Sequence, residues 1–197
     1  MVKVAIQQPT FIPYAGYFQL MKEADVFILL DNVQFSKQSW QQRNKVSIND
    51  KDVWLTVPVV HKHGQLIKDV QISDAGKVYN IDKKLQDNFN YYLLMSRGFN
   101  LFELNMANIL KIRNILGIDT DIKVASAIGE TDIVKLTKLM GGTEYISTGG
   151  SRVYFDDSLE NRFLSEGISI TFRDFEPDYS IAQYLDDSEY LREKGLI

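Results

Sequence analysis

The chain contains no cysteine. That absence excludes disulfides, a thiolate nucleophile and the cysteine-rich zinc sites together. Histidine is almost missing as well: His61 and His63 are the two in 197 residues. Imidazole acid–base chemistry therefore has only those carriers. No apolar run approaches the roughly 18 residues of a spanning helix. No cationic stretch followed by a long apolar one opens the chain. The expectation is a soluble, unexported, cytoplasmic protein with no membrane partner. Excess positive charge is missing too, since 22 basic and 26 acidic residues leave a net charge of −4. That balance argues against a general nucleic-acid binder.

What is present suits one globular unit. A chain of 197 residues with 45% apolar side chains can bury a single core, so one domain over 1–197 is expected. Charge is spread unevenly along it. Residues 1–70 hold eight Lys/Arg against six Asp/Glu, whereas residues 156–197 hold four against eleven. A small anionic substrate is therefore expected near the front of the chain.

The front is also the most patterned stretch. Val2–Ile6 is an apolar run long enough for a buried strand. It stops at Gln7-Gln8-Pro9, because proline lacks the donor and disfavours helix before it. Pro13 and Gly16 follow, Gly16 permitting a close backbone approach. A helix over Tyr17–Ala24 and a second buried strand over Val26–Leu30 come next, ending on Asp31. In an open α/β sheet, ligands bind beyond the carboxyl ends of the strands. Gln7, Gln8 and Asp31 are expected together at that edge. The run Asp31–Asn44 is polar, aromatic and cationic, with no period that buries it.

Two patterns in this region resemble the WbqC-like family of bacteria. The first is I-x-Q-P-x-x-x-P-x-x-G-Y-F from Ile6 to Phe18, and the second is A-D-V-F-I-L-L-D-x-V-Q-F-x-K-x-x-W-x-x-R-N from Ala24 to Asn44. The match rests on Gln8, Pro9, Pro13, Gly16, Tyr17, Asp31, Gln34, Phe35, Lys37, Trp40, Arg43 and Asn44. Later echoes are looser: Leu55–Pro58, Asn105, Tyr145–Gly150 and Tyr154. The chain departs from the family where Gln7 replaces a usual His and Tyr14 a usual Trp. The region after Ile81 is shortened, and the C-terminal segment is compressed to the echo Ser180-Ile181. The resemblance implies a product of surface-polysaccharide (O-antigen) gene clusters. It also implies a transferase role, with transfer of glycine onto an amino sugar as the suggested case.

Further along, alternation sets the fold class. Lys45–Ile48 and Val53–Val57 read as strands around an Asn49–Asp52 turn. With Leu66–Ile72 they make a small antiparallel insertion over about 45–73. Helices are expected over Ile81–Leu94 and Leu101–Leu116, a helical segment of about 81–116. Strand, helix, strand, helix, strand then follow over Ile122–Ala127, Thr131–Met140, Glu144–Ser147, Asp156–Glu166 and Ile168–Phe172. That alternation predicts an α/β fold with a mostly parallel, Rossmann-like sheet. The tail Ser180–Lys194 reads as an acidic amphipathic helix.

Candidate site residues divide into anion holders and proton carriers. Strand, Pro/Gly loop and helix start at 6–17 resemble the nucleotidylyltransferase-like layout, with Tyr14-Ala15-Gly16-Tyr17 where that class has H-x-G-H. Ile146–Arg152 resembles the same class's phosphate loop: Ser147 donates, Gly149 and Gly150 expose N–H groups, and Arg152 adds charge. The plain alternative is a glycine-rich turn. Lys37 and Arg43 suit phosphate or carboxylate, and Trp40 suits the face of a base or sugar. Their alternative is a solvated loop with one aromatic anchor. Gln34 and Asn44 join this set through the family pattern. Asp31 suits a general base, a magnesium ligand or a ribose acceptor; its alternative is a strand-end cap. His61 and His63 are candidate general bases. A metal site would need a third ligand such as Asp69, and no spacing compels one, so no metal is expected.

The expected activity is acyl or aminoacyl transfer, glycyl included, to an amino sugar or nucleotide-sugar, with ATP or a nucleotide-sugar as the candidate ligand. The other reading is a non-catalytic nucleotide- or sugar-binding scaffold in the same pathway.

Overall fold

The computed structural model of the chain describes residues 1–95, 100–176 and 178–197. Its first half runs β1 (Lys3–Gln7), α1 (Ala15–Glu23), β2 (Val26–Leu29), β3 (Arg43–Ile48), β4 (Lys51–Thr56), β5 (Val59–Val60) and β6 (Gln71–Ile72). Helices α2 (Ala75–Phe89) and α3 (Leu101–Ile115) lead into β7 (Asp121–Val124), α4 (Ala125–Ile128) and α5 (Ile133–Leu139). The chain ends with β8 (Glu144–Thr148), α6 (Asp157–Ser165), β9 (Ser169–Arg173) and α7 (Ser188–Glu193).

Five strands form one sheet in the order β7-β2-β1-β8-β9, and every neighbouring pair is parallel. β1 lies between β2 and β8, in register Val4↔Val26 and Lys3↔Glu144. The two front strands are thus central and parallel, as their apolar runs predict. The pleat sends alternate side chains to two cores. Ala5, Phe27, Leu29 and Ile146 join Phe18 and Met21 of α1 and Leu104 and Ile109 of α3. Val4, Ile6, Ile28 and Tyr145 join Val134 of α5 and Phe163 of α6. Helices therefore cover both faces. The sheet grows from β1 through β2 to β7 with helices on one face, then restarts at β8 and grows the other way with helices on the opposite face. A constant crossover hand demands that change of face when the direction of growth reverses.

The antiparallel insertion is present but starts earlier than its sequence signals. β3 pairs β4 from Arg43↔Thr56 to Ile48↔Lys51 around Asn49 and Asp50, both with positive φ. β5 pairs β6, and Ile67–Asp69 is a 3-10 turn where a longer strand is expected. α2 also begins early. Asp74, expected in a turn, caps it by accepting from Lys77 N at 3.0 Å, and the helix stops at Asn90 in the left-handed region. The stretch 96–99 of the expected helical segment lies outside the described residues. The tail differs most. Ser180 N donates to Lys45 O and Ile181 N to Pro13 O, both at 2.9 Å; a 3-10 turn follows, and Asp187 caps the short α7, in place of one helix. Among the described residues no helix is long and apolar enough to cross a membrane.

Candidate functional site

Strand order reverses between β1 and β8, and in open α/β sheets the crevice beyond the carboxyl ends at such a point receives ligands. β1 ends there on Gln7 and β8 on Thr148. Gln7 Nε2 donates to Ser147 Oγ at 3.5 Å. Ser147 Oγ lies 2.7 Å from Ser151 Oγ, and Ser151 Oγ donates to Thr148 O at 2.6 Å. On the other side, Gln8 Oε1 accepts from Gln41 Nε2 at 2.7 Å, and Gln41 Oε1 accepts from Ser36 N at 3.0 Å. Amides and hydroxyls thus link the β8 loop, the end of β1 and the 31–42 loop into one neutral row.

Behind that row, buried amides staple the two front loops. Asn105 on α3 donates to Pro9 O at 3.0 Å and Gln41 O at 2.8 Å. Asn44 on β3 donates to Ile12 O at 2.9 Å and Phe11 O at 3.4 Å. Ile12 needs that hold, because its φ of 36° places a β-branched residue in the left-handed region. Such strain persists only where the surroundings over-determine it, and it clusters at functional loops. Gln42 adds a third staple, accepting from Gln38 N at 3.0 Å and donating to Val57 O at 2.9 Å. The 31–44 run is therefore only partly solvated: Gln34, Ser36, Lys37, Gln38 and Trp40 are exposed, and the rest is held down. Asp31, Phe35, Gln41, Gln42 and Asn44 are all buried. Sequence periodicity misses this because hydrogen bonds to distant carbonyls, not apolar contacts, bury the amides. Thr10 Oγ1 and Asn105 Oδ1 are buried there without a partner.

The cationic residues sit at the rim. Lys37 is exposed and makes no ion pair among the described residues. The Arg43 guanidinium lies 4.4 Å over the ring of Trp54. Trp54 in turn meets Trp40, with ring centroids 5.7 Å apart. Phe11 N donates to Trp40 O at 2.8 Å, which joins this group to the first loop.

The start of α1 is less open. Tyr14 pairs with Ser180, and a Cβ on Gly16 would meet the Tyr14 ring at 2.4 Å and Phe175 at 2.7 Å. The close approach that Gly16 permits is therefore made by the protein itself. Tyr17 is buried and its hydroxyl donates to Gln8 O at 3.3 Å. Burial pushes both phenols, Tyr14 and Tyr17, above their ordinary range, so they stay neutral.

The proton-carrier candidates separate. Asp31 is fully buried, and its carboxylate accepts from Ser126 N at 2.9 Å and Ser126 Oγ at 2.5 Å. It thereby anchors the first turn of α4. His61 packs edge-on to Phe35 at 5.0 Å, and His63 is exposed in the turn that Lys62 and Gln65 close. Gln34 pairs with Leu66 beside them.

In the β8 loop, Arg152 grips Asp174 with both terminal nitrogens, at 2.8 and 3.1 Å. Asp174 also closes over Gly149, where an added Cβ would meet its Oδ1 at 1.7 Å. Gly150 has open space on the corresponding side. Arg152 is thus already charge-paired, a pairing across 22 residues that spacing does not announce. Little in the sequence marks Gln41, Gln42, Trp54 and Ser126 as part of the site. The one available signal was the Gln41-Gln42 pair beside Arg43-Asn44.

Uncharacterized protein Rv1507c of Mycobacterium tuberculosis (strain ATCC 25618 / H37Rv) is 29% identical, over 89% of this chain and 84% of its own length. No solved structure matches. The family model described as the WbqC-like protein family matches residues 8–185, which include both front loops, the β3–β4 hairpin and the β8 loop. The chain belongs to the WbqC-like protein family.

Proposed function

We propose that the protein is a cytoplasmic group transferase of surface-glycan biosynthesis. It moves an acyl or aminoacyl group, glycyl among them, onto an amino sugar or nucleotide-sugar. The observation that carries this reading is the convergence of Gln7, Gln8 and the Ser147–Ser151 hydroxyls at the strand-order reversal. Amine attack on an activated carbonyl develops negative charge on oxygen, which the Gln7 and Gln8 amide N–H groups stabilise. The intermediate then collapses by expelling the group that activated the acyl. Lys37 and Arg43 hold the phosphate of ATP or of a nucleotide-sugar, with Gly150 open beside the β8 loop. The amine's proton must leave, and Gln7 cannot take it, because an amide has no basic site at neutral pH. Asp31, His61 and His63 are the proposed carriers. A non-catalytic binder of nucleotide or sugar is the second reading. It is favoured by the neutral amide row and by the engagement of both Asp31 carboxylate oxygens with Ser126.

The test is mass spectrometry of a UDP-amino sugar incubated with the protein, glycine and ATP, or with preformed acyl donors. Transfer should appear, and one of Asp31→Asn, His61→Ala and His63→Ala should lower kcat by about tenfold or more with binding retained. Normal turnover in all three removes the base assignment. Binding without turnover in any form supports the binder reading instead.

A further inference from the structure

Trp40 and Trp54 are the two tryptophans of the chain. Both remain about half exposed, at 53% and 46%. They stand against each other at 5.7 Å with planes 33° apart, too close for a ligand to slip between them. Arg43 lies over Trp54 at 4.4 Å. Its side chain makes no hydrogen bond or ion pair among the described residues. A guanidinium held flat by an aromatic face keeps its planar fork of donors oriented at little entropic cost. Here the guanidinium lies over the ring and its donors are empty. Lys37, likewise unpaired, lies three residues before Trp40 in the same loop. The hydrogen bond from Phe11 N to Trp40 O sets this group at the rim of the amide row.

We infer that Trp54, Arg43 and Trp40 form a stacking subsite for a ring that carries a phosphate or carboxylate. The oxyanion takes the Arg43 fork, and the ring lies on the indole surface. Trp54 acts as the positioning residue, because it fixes the plane of Arg43. This inference rests on the site proposed above and names its ligand chemistry. A nucleoside phosphate and a glycosyl phosphate share that chemistry. The subsite is built across two elements, Arg43 on β3 and Trp54 on β4, whose register sets Arg43 opposite Thr56 and Trp54 opposite Lys45.

Because no tryptophan lies elsewhere, intrinsic fluorescence reports on this subsite alone. The experiment titrates the full chain with UMP, glucose 1-phosphate, uridine and inorganic phosphate, following tryptophan emission and, in parallel, calorimetric binding. UMP or glucose 1-phosphate, or both, should change the emission, and which one does identifies the ring. Uridine and phosphate alone should bind at least about tenfold more weakly, since each lacks one half of the contact. Arg43→Lys keeps the charge and loses the fork, so it should weaken binding by about tenfold or more. Trp54→Phe should retain more of the affinity than Trp54→Ala, with circular dichroism establishing that both are folded. The inference is overturned if neither UMP nor glucose 1-phosphate alters emission. It is equally overturned if folded Arg43→Lys binds like wild type. Transfer activity that persists in Arg43→Lys would remove this subsite and leave the transferase reading standing. Emission changes without any transfer would do the reverse.

Discussion

Single amides decide the shape of the site at the residue scale. Asn44 and Asn105 each use one NH2 group to hold two carbonyl oxygens of the front loops. A carboxylate in either place has no donor and turns its charge toward those carbonyls. Asn44→Asp or Asn105→Asp should therefore cost about 1–3 kcal/mol or more, the usual penalty for stranding buried polar groups. Urea unfolding at neutral pH measures it, and a loss below about 0.5 kcal/mol would contradict the stapling role. The glycines of the β8 loop give a paired expectation. Gly149→Ala must push Asp174 away and break its grip on Arg152, while Gly150→Ala has open space. Melting temperatures should fall for the first and hold for the second. Equal behaviour in the two would mean that Asp174 does not pack where the structure has it. These contacts were only half readable in the sequence. Gln8, Arg43 and Asn44 stood out by pattern, but what they bond lies up to 33 residues away, and no local period encodes that.

At the scale of elements, apolar runs predicted the strands better than polarity predicted the connections. Val2–Ile6 and Val26–Leu30 sit within one residue of β1 and β2, because buried parallel strands need nearly continuous apolar runs. The tail defeated the same reasoning. Its residues have helical spacing, but the first turn closes as a 3-10 turn over Ile181–Gln183, and Asp187 starts α7 afresh by accepting from Tyr190 N at 3.0 Å. One ion-pair cluster ties an element to the sheet and makes stability depend on pH. Glu23, at the end of α1, accepts from Arg173 Nε at 2.7 Å and from Lys3 Nζ at 3.1 Å. The Arg173 guanidinium foremost, with Lys3, holds its carboxyl below the usual range despite partial burial. A depressed folded-state value means that the contribution is complete above the ordinary Glu value of about 4.3. It is lost as pH falls through the lowered value. Glu23→Gln should flatten the acid limb of stability against pH while leaving its shape above pH of about 6 unchanged. An acid limb identical to wild type would show that this cluster is not linked to folding.

For the whole molecule, the reversal of strand order is what brings distant stretches together. Residues 7–14, 31–44 and 147–152 meet because β1 stands between β2 and β8, with helices on both faces of the sheet. The alternation of strands and helices made the sheet readable in advance, and the carboxyl-edge rule grouped Gln7, Gln8 and Asp31. The structure sets Gln7 beside Ser147 and Gln8 beside Gln41 but turns the Asp31 carboxylate to Ser126. Beyond the pairing of β1 with β2 the order of the strands was not readable, since periodicity says which residues are buried and not which strand lies beside which. The proposed site stands or falls on whether this edge binds an anionic ligand through Lys37 and Arg43. Thermal unfolding in the presence of ATP and of UDP-, GDP- and dTDP-sugars tests it most directly, run on wild type and on the Lys37→Ala/Arg43→Ala double variant. At about one hundred times its dissociation constant a ligand stabilises the folded state by about 2.7 kcal/mol, enough to raise the melting temperature by several degrees. At least one of these ligands should raise it in wild type, and none should do so in the double variant. A panel that leaves wild type unmoved, or a shift that survives loss of both cations, would contradict it.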